Sequence, residues 1–172
     1  MSDRIGTGGR AGGRVRPSLH LAGRIGPSRR GLLLSMLALA ACGGGRAEPD
    51  LYPNETPWLR TRINYWARHY DVPPSLVQRV VIRESTHRPD ARNGPYYGLM
   101  QILPQTARTM GYRGPDHGLL DADTNLQYGV KYLRGAWLVA NGNQDRAIHW
   151  YSRGYYYEAK RRGMLRETGL RS

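Results

Sequence analysis

From Thr56 onward, apolar residues recur three and four positions apart, the spacing of helices that bury one face. Leu59, Ile63, Trp66 and Tyr70 form the first stripe, and Thr56-Pro57 supplies an N-cap with proline at the first helical position. Asp71 and Pro73-Pro74 break this pattern and open a second helix, whose stripe is Leu76, Val77, Val80 and Val81 and whose limit is set by Pro89. Asn93-Gly94-Pro95 is turn chemistry, Gly98 allows close backbone approach, and Pro104 starts a short helix that Gly111 ends. Asp123, Leu126, Val130, Leu133 and Trp137 define a longer capped helix in which Gly129 permits close packing. The pattern predicts a mainly α chain.

The second stripe leads to the most informative residue. Glu84 lies four positions beyond Val80, seven beyond Val77 and eight beyond Leu76, so its carboxylate points where the core residues point. Burial and the negative end of the helix dipole both disfavour its charged form, which pre-adapts Glu84 to act as a protonated general acid. Taken alone, it could equally be a structural glutamate paired with Arg83, Arg88 or Arg92. The other acids read differently. Asp90 follows Pro89 in a loop, Asp116 lies among Gly and Pro, Asp121 and Asp123 look like helix caps, and Asp145 sits at a helix start. No second catalytic acid is evident.

Length and composition, 172 residues with 40% hydrophobic and 23% charged, fit one soluble domain and exclude collagen-like, mainly disordered or multi-spanning chains. The net charge is +13, but residues 1–41 hold seven Arg and one Asp, which leaves +7 for the rest. A single cysteine excludes an intramolecular disulfide and a cysteine-based zinc cluster. His69, His87, His117 and His149 show no helix-spaced ligand pair, so they read as surface or structural and no metal or cofactor is expected.

Residues 1–28 are rich in Arg and Gly without an apolar period. An apolar run from Gly31 to Ala41 then follows Arg29-Arg30, too short at eleven residues to span a hydrocarbon core of about 30 Å but suited to an export signal. The string LAAC, Leu39 to Cys42, resembles a bacterial lipobox. That resemblance implies cleavage before Cys42 and lipid attached to it. SRRGLLL loosely resembles a twin-arginine signal as well. The expected organisation is a signal and leader over 1–41, a lipidated tether over 42–52 and a folded domain over 53–172. An Arg/Gly tail for RNA would want interleaved aromatics, which residues 1–28 lack.

From Glu84 to Ala107 the chain reads ESTHRPDARNGPYYGLMQILPQTA and resembles the soluble lytic transglycosylase (SLT) family of peptidoglycan-cleaving enzymes. The matching positions are Glu84-Ser85, Pro89, Ala91, Gly94, the block Gly98-Leu99-Met100-Gln101-Ile102, Pro104 and Thr106-Ala107. NLQYGVKYL, Asn125 to Leu133, is similar to the family's third motif, and AIHWYSRG, Ala147 to Gly154, to its motif of alanine, tyrosine-asparagine and glycine. Two departures stand out: Ser152 occupies the usual asparagine position, and Tyr96-Tyr97 precede Gly98 where small residues are commoner.

The resemblance implies a lysozyme-like helical domain with a substrate groove. It implies catalysis by Glu84, acid then base, with Tyr151 holding it; Ser85, Gly98, Gln101 and Ser152 contacting substrate; and Met100 lining the groove. The family's single glutamate works with the substrate's own N-acetyl group and leaves a 1,6-anhydromuramyl end, which agrees with the missing second acid. A hydrolytic muramidase like the goose-type lysozymes and a silent peptidoglycan-binding lipoprotein remain alternatives. A charge of +7 suits carboxylate-bearing peptidoglycan and nucleic acid alike, and the export signal decides against nucleic acid. Gly43 after Cys42, lacking the aspartate of inner-membrane retention, points to an outer-membrane anchor facing the periplasm.

Overall fold

The computed structural model describes residues 49–171, which fall within one compact unit. The expected export signal, the lipidated Cys42 and most of the expected tether lie outside the described residues. Six α-helices carry the fold: α1 Pro57–His69, α2 Pro74–Ser85, α3 Pro104–Thr109, α4 Ala122–Val139, α5 Gln144–Arg153 and α6 Tyr156–Arg161. A small antiparallel hairpin, β1 Arg92–Asn93 and β2 Tyr96–Tyr97, and a 3-10 turn, Asp116–Leu120, complete it. The hairpin escapes a periodicity reading because two-residue strands are too short to show alternation. No helix among the described residues is long and apolar enough to cross a membrane.

The caps follow the side-chain chemistry. Thr56 Oγ1 accepts from Leu59 N at 3.1 Å to begin α1, and Asp121 accepts from Thr124 N at 2.8 Å to begin α4. Asp123, expected as a cap, instead accepts from Arg62 Nε at 2.5 Å and Trp66 Nε1 at 2.7 Å. It lies inside the first turn of α4, where its side chain reaches α1 rather than its own helix start. α4 is the central element and packs on α1, α3 and α5. Its Leu126, Val130, Leu133 and Ala136 meet Leu59 and Ile63 of α1, Leu76, Val77 and Val80 of α2, and Ala147 and Tyr151 of α5 in one core. A second cluster, Ile102, Ala107, Tyr112 and Leu119, supports the loop between the hairpin and α4.

α2 ends at Ser85, before the expected limit at Pro89. Thr86 and His87 both take left-handed backbone angles, φ 53° and 60°, a strained reversal for two consecutive non-glycine residues. Buried interactions compensate it. His87 is almost fully buried, stacks on Tyr52, and donates from Nε2 to Gln78 Oε1 at 2.8 Å. Gln78 Nε2 donates to Glu55 Oε1 at 2.7 Å, and Arg60 holds the same carboxylate through Nε at 2.7 Å and Nη2 at 2.5 Å. Burial alone would raise the Glu55 carboxyl, but donors from Arg60, Tyr52 N–H and Gln78 hold it down at about 2. Arg60 also donates to the carbonyls of Pro49 and Asp50, so packing begins four residues before the expected boundary at 53.

Candidate active site

The last turn of α2 delivers Glu84 to the edge of a cavity of about 280 Å³, where its side chain is 23% exposed. The walls come from four places in the chain: Arg83 and Glu84 from α2, Asn93 and Tyr96 from the hairpin, Gln101 from the following loop, and Tyr151 and Ser152 from α5. Desolvation by burial pushes the Glu84 carboxyl above its ordinary value, and Arg83, at 3.6 Å, opposes this only in part. Among the described residues no hydrogen bond to the Glu84 carboxylate offsets that burial. The group is thus biased toward its neutral, proton-donating form.

A second cavity, about 230 Å³, adjoins the first and shares Tyr96, Gln101, Tyr151 and Ser152 with it. Leu103, Thr106 and Tyr132 close its floor. Together they make a trough along the hairpin on one side and the end of α5 on the other. Glu84 is the one carboxylate among the described residues that line either cavity. Other acids are occupied elsewhere: Asp116 pairs with Arg108, Asp145 with Arg79, and Asp123 with Arg62. Among the described residues no group of three His, Cys, Asp or Glu side chains could hold a metal ion.

The loop from Gly98 to Gln101 is folded tightly, with Tyr97 and Ile102 exchanging backbone hydrogen bonds of 3.1 Å across its base. Gly98 (φ +70°) sits where a Cβ would collide with the Asn125 side chain and Leu119 O. Asn125 is fully buried and staples the loop: Met100 N donates to its Oδ1, and its Nδ2 donates to Tyr97 O and Leu119 O, each at 2.8 Å. From the opposite side, Tyr151 donates its hydroxyl to Met100 O at 2.7 Å. These anchors hold Gln101 at φ 45°, a strained angle for a side-chain-bearing residue, with its amide turned to the cavity. Gln101 Nε2 donates to Ala91 O and Gly98 O, while Oε1 is buried with no partner among the described residues. That oxygen is an unsatisfied acceptor at the cavity wall.

The residues expected at the site therefore divide. Glu84, Gln101, Tyr151 and Ser152 line the trough. Ser85, Gly98 and Met100 lie behind its wall. Ser85 is 3% exposed and donates to Val81 O, because a helical residue one step past Glu84 turns about 100° away from the cavity. Met100 is fully buried, with Sδ against Gly129, so it supports the loop from beneath instead of lining the groove. Tyr151 differs too: its hydroxyl goes to Met100 O and not to Glu84. Its phenol is pushed well up first by burial and then by the nearby Glu84 charge.

Asn125 is the positioning residue that the sequence conceals, since on a helix pattern it is one polar residue among apolar ones. Tyr96, half exposed, contributes to both cavities, and the doublet Tyr96-Tyr97 before Gly98 was its only local signal. Tyr97 faces away and carries Arg92 over its ring at 3.8 Å. Compared with known proteins, residues 61–163 match the family model of the transglycosylase SLT domain. No solved structure matches the chain.

Proposed function

The chain belongs to the transglycosylase SLT domain family, and from that premise we propose that it is a peptidoglycan lytic transglycosylase in which Glu84 acts first as acid and then as base. Its mainly helical fold is lysozyme-like. The observation that carries the proposal is a single half-buried carboxyl, raised above its ordinary value, at the head of a trough whose described walls offer no second carboxylate. Two-carboxylate glycosidases hold their acids about 5 to 9.5 Å apart across the scissile bond. One carboxyl must here do both proton transfers.

Neutral Glu84 donates its proton to the glycosidic oxygen between N-acetylmuramic acid and N-acetylglucosamine as that bond breaks. The 2-acetamido oxygen of the substrate stabilises the anomeric carbon. Ionised Glu84 then removes the proton from the muramyl 6-hydroxyl, whose oxygen closes on the anomeric carbon to give the 1,6-anhydro end. Atoms balance without water, and the glutamate returns to its neutral form. Burial assists the first step, because it favours the neutral, proton-donating form. Gln101 reaches a substrate N–H or O–H once its amide shifts to expose the unsatisfied Oε1, and Ser152, whose hydroxyl donates to His149 O at 3.0 Å, can accept at the trough wall. Ser85 and Met100 contribute as supports of Glu84 and of the Gln101 loop.

In this reading the chain is exported, lipid on Cys42 tethers it to the outer membrane, and the domain faces peptidoglycan in the periplasm. Mass spectrometry of fragments released from purified sacculi tests the activity. Anhydromuramyl ends that vanish with Glu84→Gln support it; reducing ends mean a hydrolase, and no fragments from folded protein mean a binding module.

A further inference from the structure

The trough does not stop at Ser152. Its second cavity shares Arg153 and Gly154 with a third, about 420 Å³, that lies between α5 and α6 with Trp150, Tyr157 and the Glu158–Arg161 pair around it. Arg153 thus stands at the junction, exposed, one residue beyond Ser152 and two beyond Tyr151. The cations along this path are not equivalent. Arg83 faces Glu84 at 3.6 Å, and Arg161 is held by Glu158 through two contacts of 3.0 and 2.7 Å. Among the described residues Arg153 has neither an ion-pair nor a hydrogen-bond partner. Its charge offsets the negative end of α5, but a helix end uses only charge and leaves the planar fork of donors open.

We propose that Arg153 is a specificity-determining residue that holds a carboxylate borne by the peptide stem on the muramyl side of the glycan strand. This rests on the peptidoglycan reading of the Glu84 site. A guanidinium binds a carboxylate through two parallel N–H···O bonds, which fixes orientation as well as adding affinity. At this junction it acts on a strand already engaged with Gln101 and Glu84 in the shared trough. The clamp therefore selects strands whose carboxylate arrives at the third cavity when the scissile bond reaches Glu84. Arg153 touches no reacting atom in this scheme.

The test separates binding from cleavage. The full chain carrying Glu84→Gln is titrated by sedimentation against three sacculus preparations. One is untreated; one is amidase-treated, which removes stem peptides and frees the lactyl carboxyls that carried them; the third has its carboxylates converted to neutral amides. Adding Arg153→Gln weakens binding to untreated sacculi about tenfold or more. Arg68→Gln, which removes an exposed cation of α1 away from the trough, changes it by less than about twofold. Arg153→Lys keeps the charge and restores only part of the loss, and thermal unfolding verifies that each variant is folded. On neutral sacculi Arg153→Gln has no added effect. Disappearance of the loss on amidase-treated sacculi assigns the stem carboxylate, and a loss of the same size there, where the muramyl carboxylates are the newly freed lactyl groups, overturns that assignment. Equal binding by the Arg153→Gln and Arg68→Gln chains, or an Arg153→Gln loss of the same size on neutral sacculi, overturns the proposal. The functional reading fails separately, if the unsubstituted chain releases no fragments, and a binding difference at Arg153 survives that result.

Discussion

The hydroxyl of Tyr151 donates to the backbone carbonyl of Met100 at 2.7 Å, joining the end of α5 to the loop that carries Gln101. Tyr151 is thereby a strut between two walls of the trough, while its ring, nearly buried, packs against Tyr132 at 5.4 Å. The support for Glu84 is indirect: the carboxyl is raised by the burial that Tyr151 helps to create.

Tyr151→Phe keeps the ring and removes the strut. Met100 O is left without this donor, which costs about 1 to 2 kcal/mol of stability. The rate of fragment release falls by roughly tenfold as the loop loosens. Because the hydroxyl does not bond Glu84, the pH at which activity declines stays where it is in the unsubstituted chain. A pH-rate profile checks this, and a displaced limb would show direct contact between the two groups.

Glu84→Gln lowers cleavage by at least about 100-fold, since among the described residues no other carboxyl lines the trough to replace the proton donor. Stability moves the other way. A carboxyl whose folded pKa is raised destabilises the fold where it must ionise, so the substitution stabilises above that raised value. The gain shrinks as pH falls toward the ordinary value of 4.5 and is absent below it, where both states bind the proton. Thermal melts from pH 4 to 8 read the sign.

Asn125→Ala removes three hydrogen bonds of 2.8 Å at once, two of them buried and the one to Tyr97 O partly so. Met100 N–H and Leu119 O lose this partner while Tyr97 O keeps Ile102 N–H, which makes the expected loss about 2 to 4 kcal/mol. Asn125→Asp keeps the shape but directs a carboxylate at two carbonyls, so it also destabilises at neutral pH. Denaturant unfolding of both variants measures this, and a loss below about 1 kcal/mol for Asn125→Ala would exclude Asn125 as the staple.

Glu55→Gln tests the network that backs the end of α2. Breaking a buried ion pair leaves Arg60 poorly compensated and costs about 3 kcal/mol at neutral pH. The Glu55 pKa is depressed from 4.5 to about 2, so its contribution is complete above 4.5 and is lost as pH falls toward 2. The stability difference between the two chains should therefore close over that window. Urea titrations at pH 7, 4 and 2.5 follow it.

How much of this could be read from the chain depends on the range over which each feature is specified. Helical spacing is set by residues three and four apart, so α1, α2 and α4 and the inward aim of Glu84 were legible. Thr56-Pro57 and Asp121 announce helix starts because an N-cap bonds its own next turn. The motif from Gly98 to Ile102 was legible as a site element, but not which of its side chains face the ligand. Gln101 takes a left-handed angle and lines the cavity, whereas its neighbour Met100 is buried in the core.

What only tertiary structure decided was which distant groups meet. Gln78 reaches Glu55 across 23 residues, Asn125 reaches Met100 across 25, and Tyr151 reaches Met100 across 51. None of these pairs has a local signature, because a buried polar side chain takes whatever complementary partner the packing of apolar faces brings within about 3 Å. The chain alone thus determined that a glutamate in line with the apolar stripe sits at the end of α2. The packing of α4 and α5 against the Gln101 loop determined that it opens into a trough, and that Arg153 stands at the far end of it without a partner among the described residues.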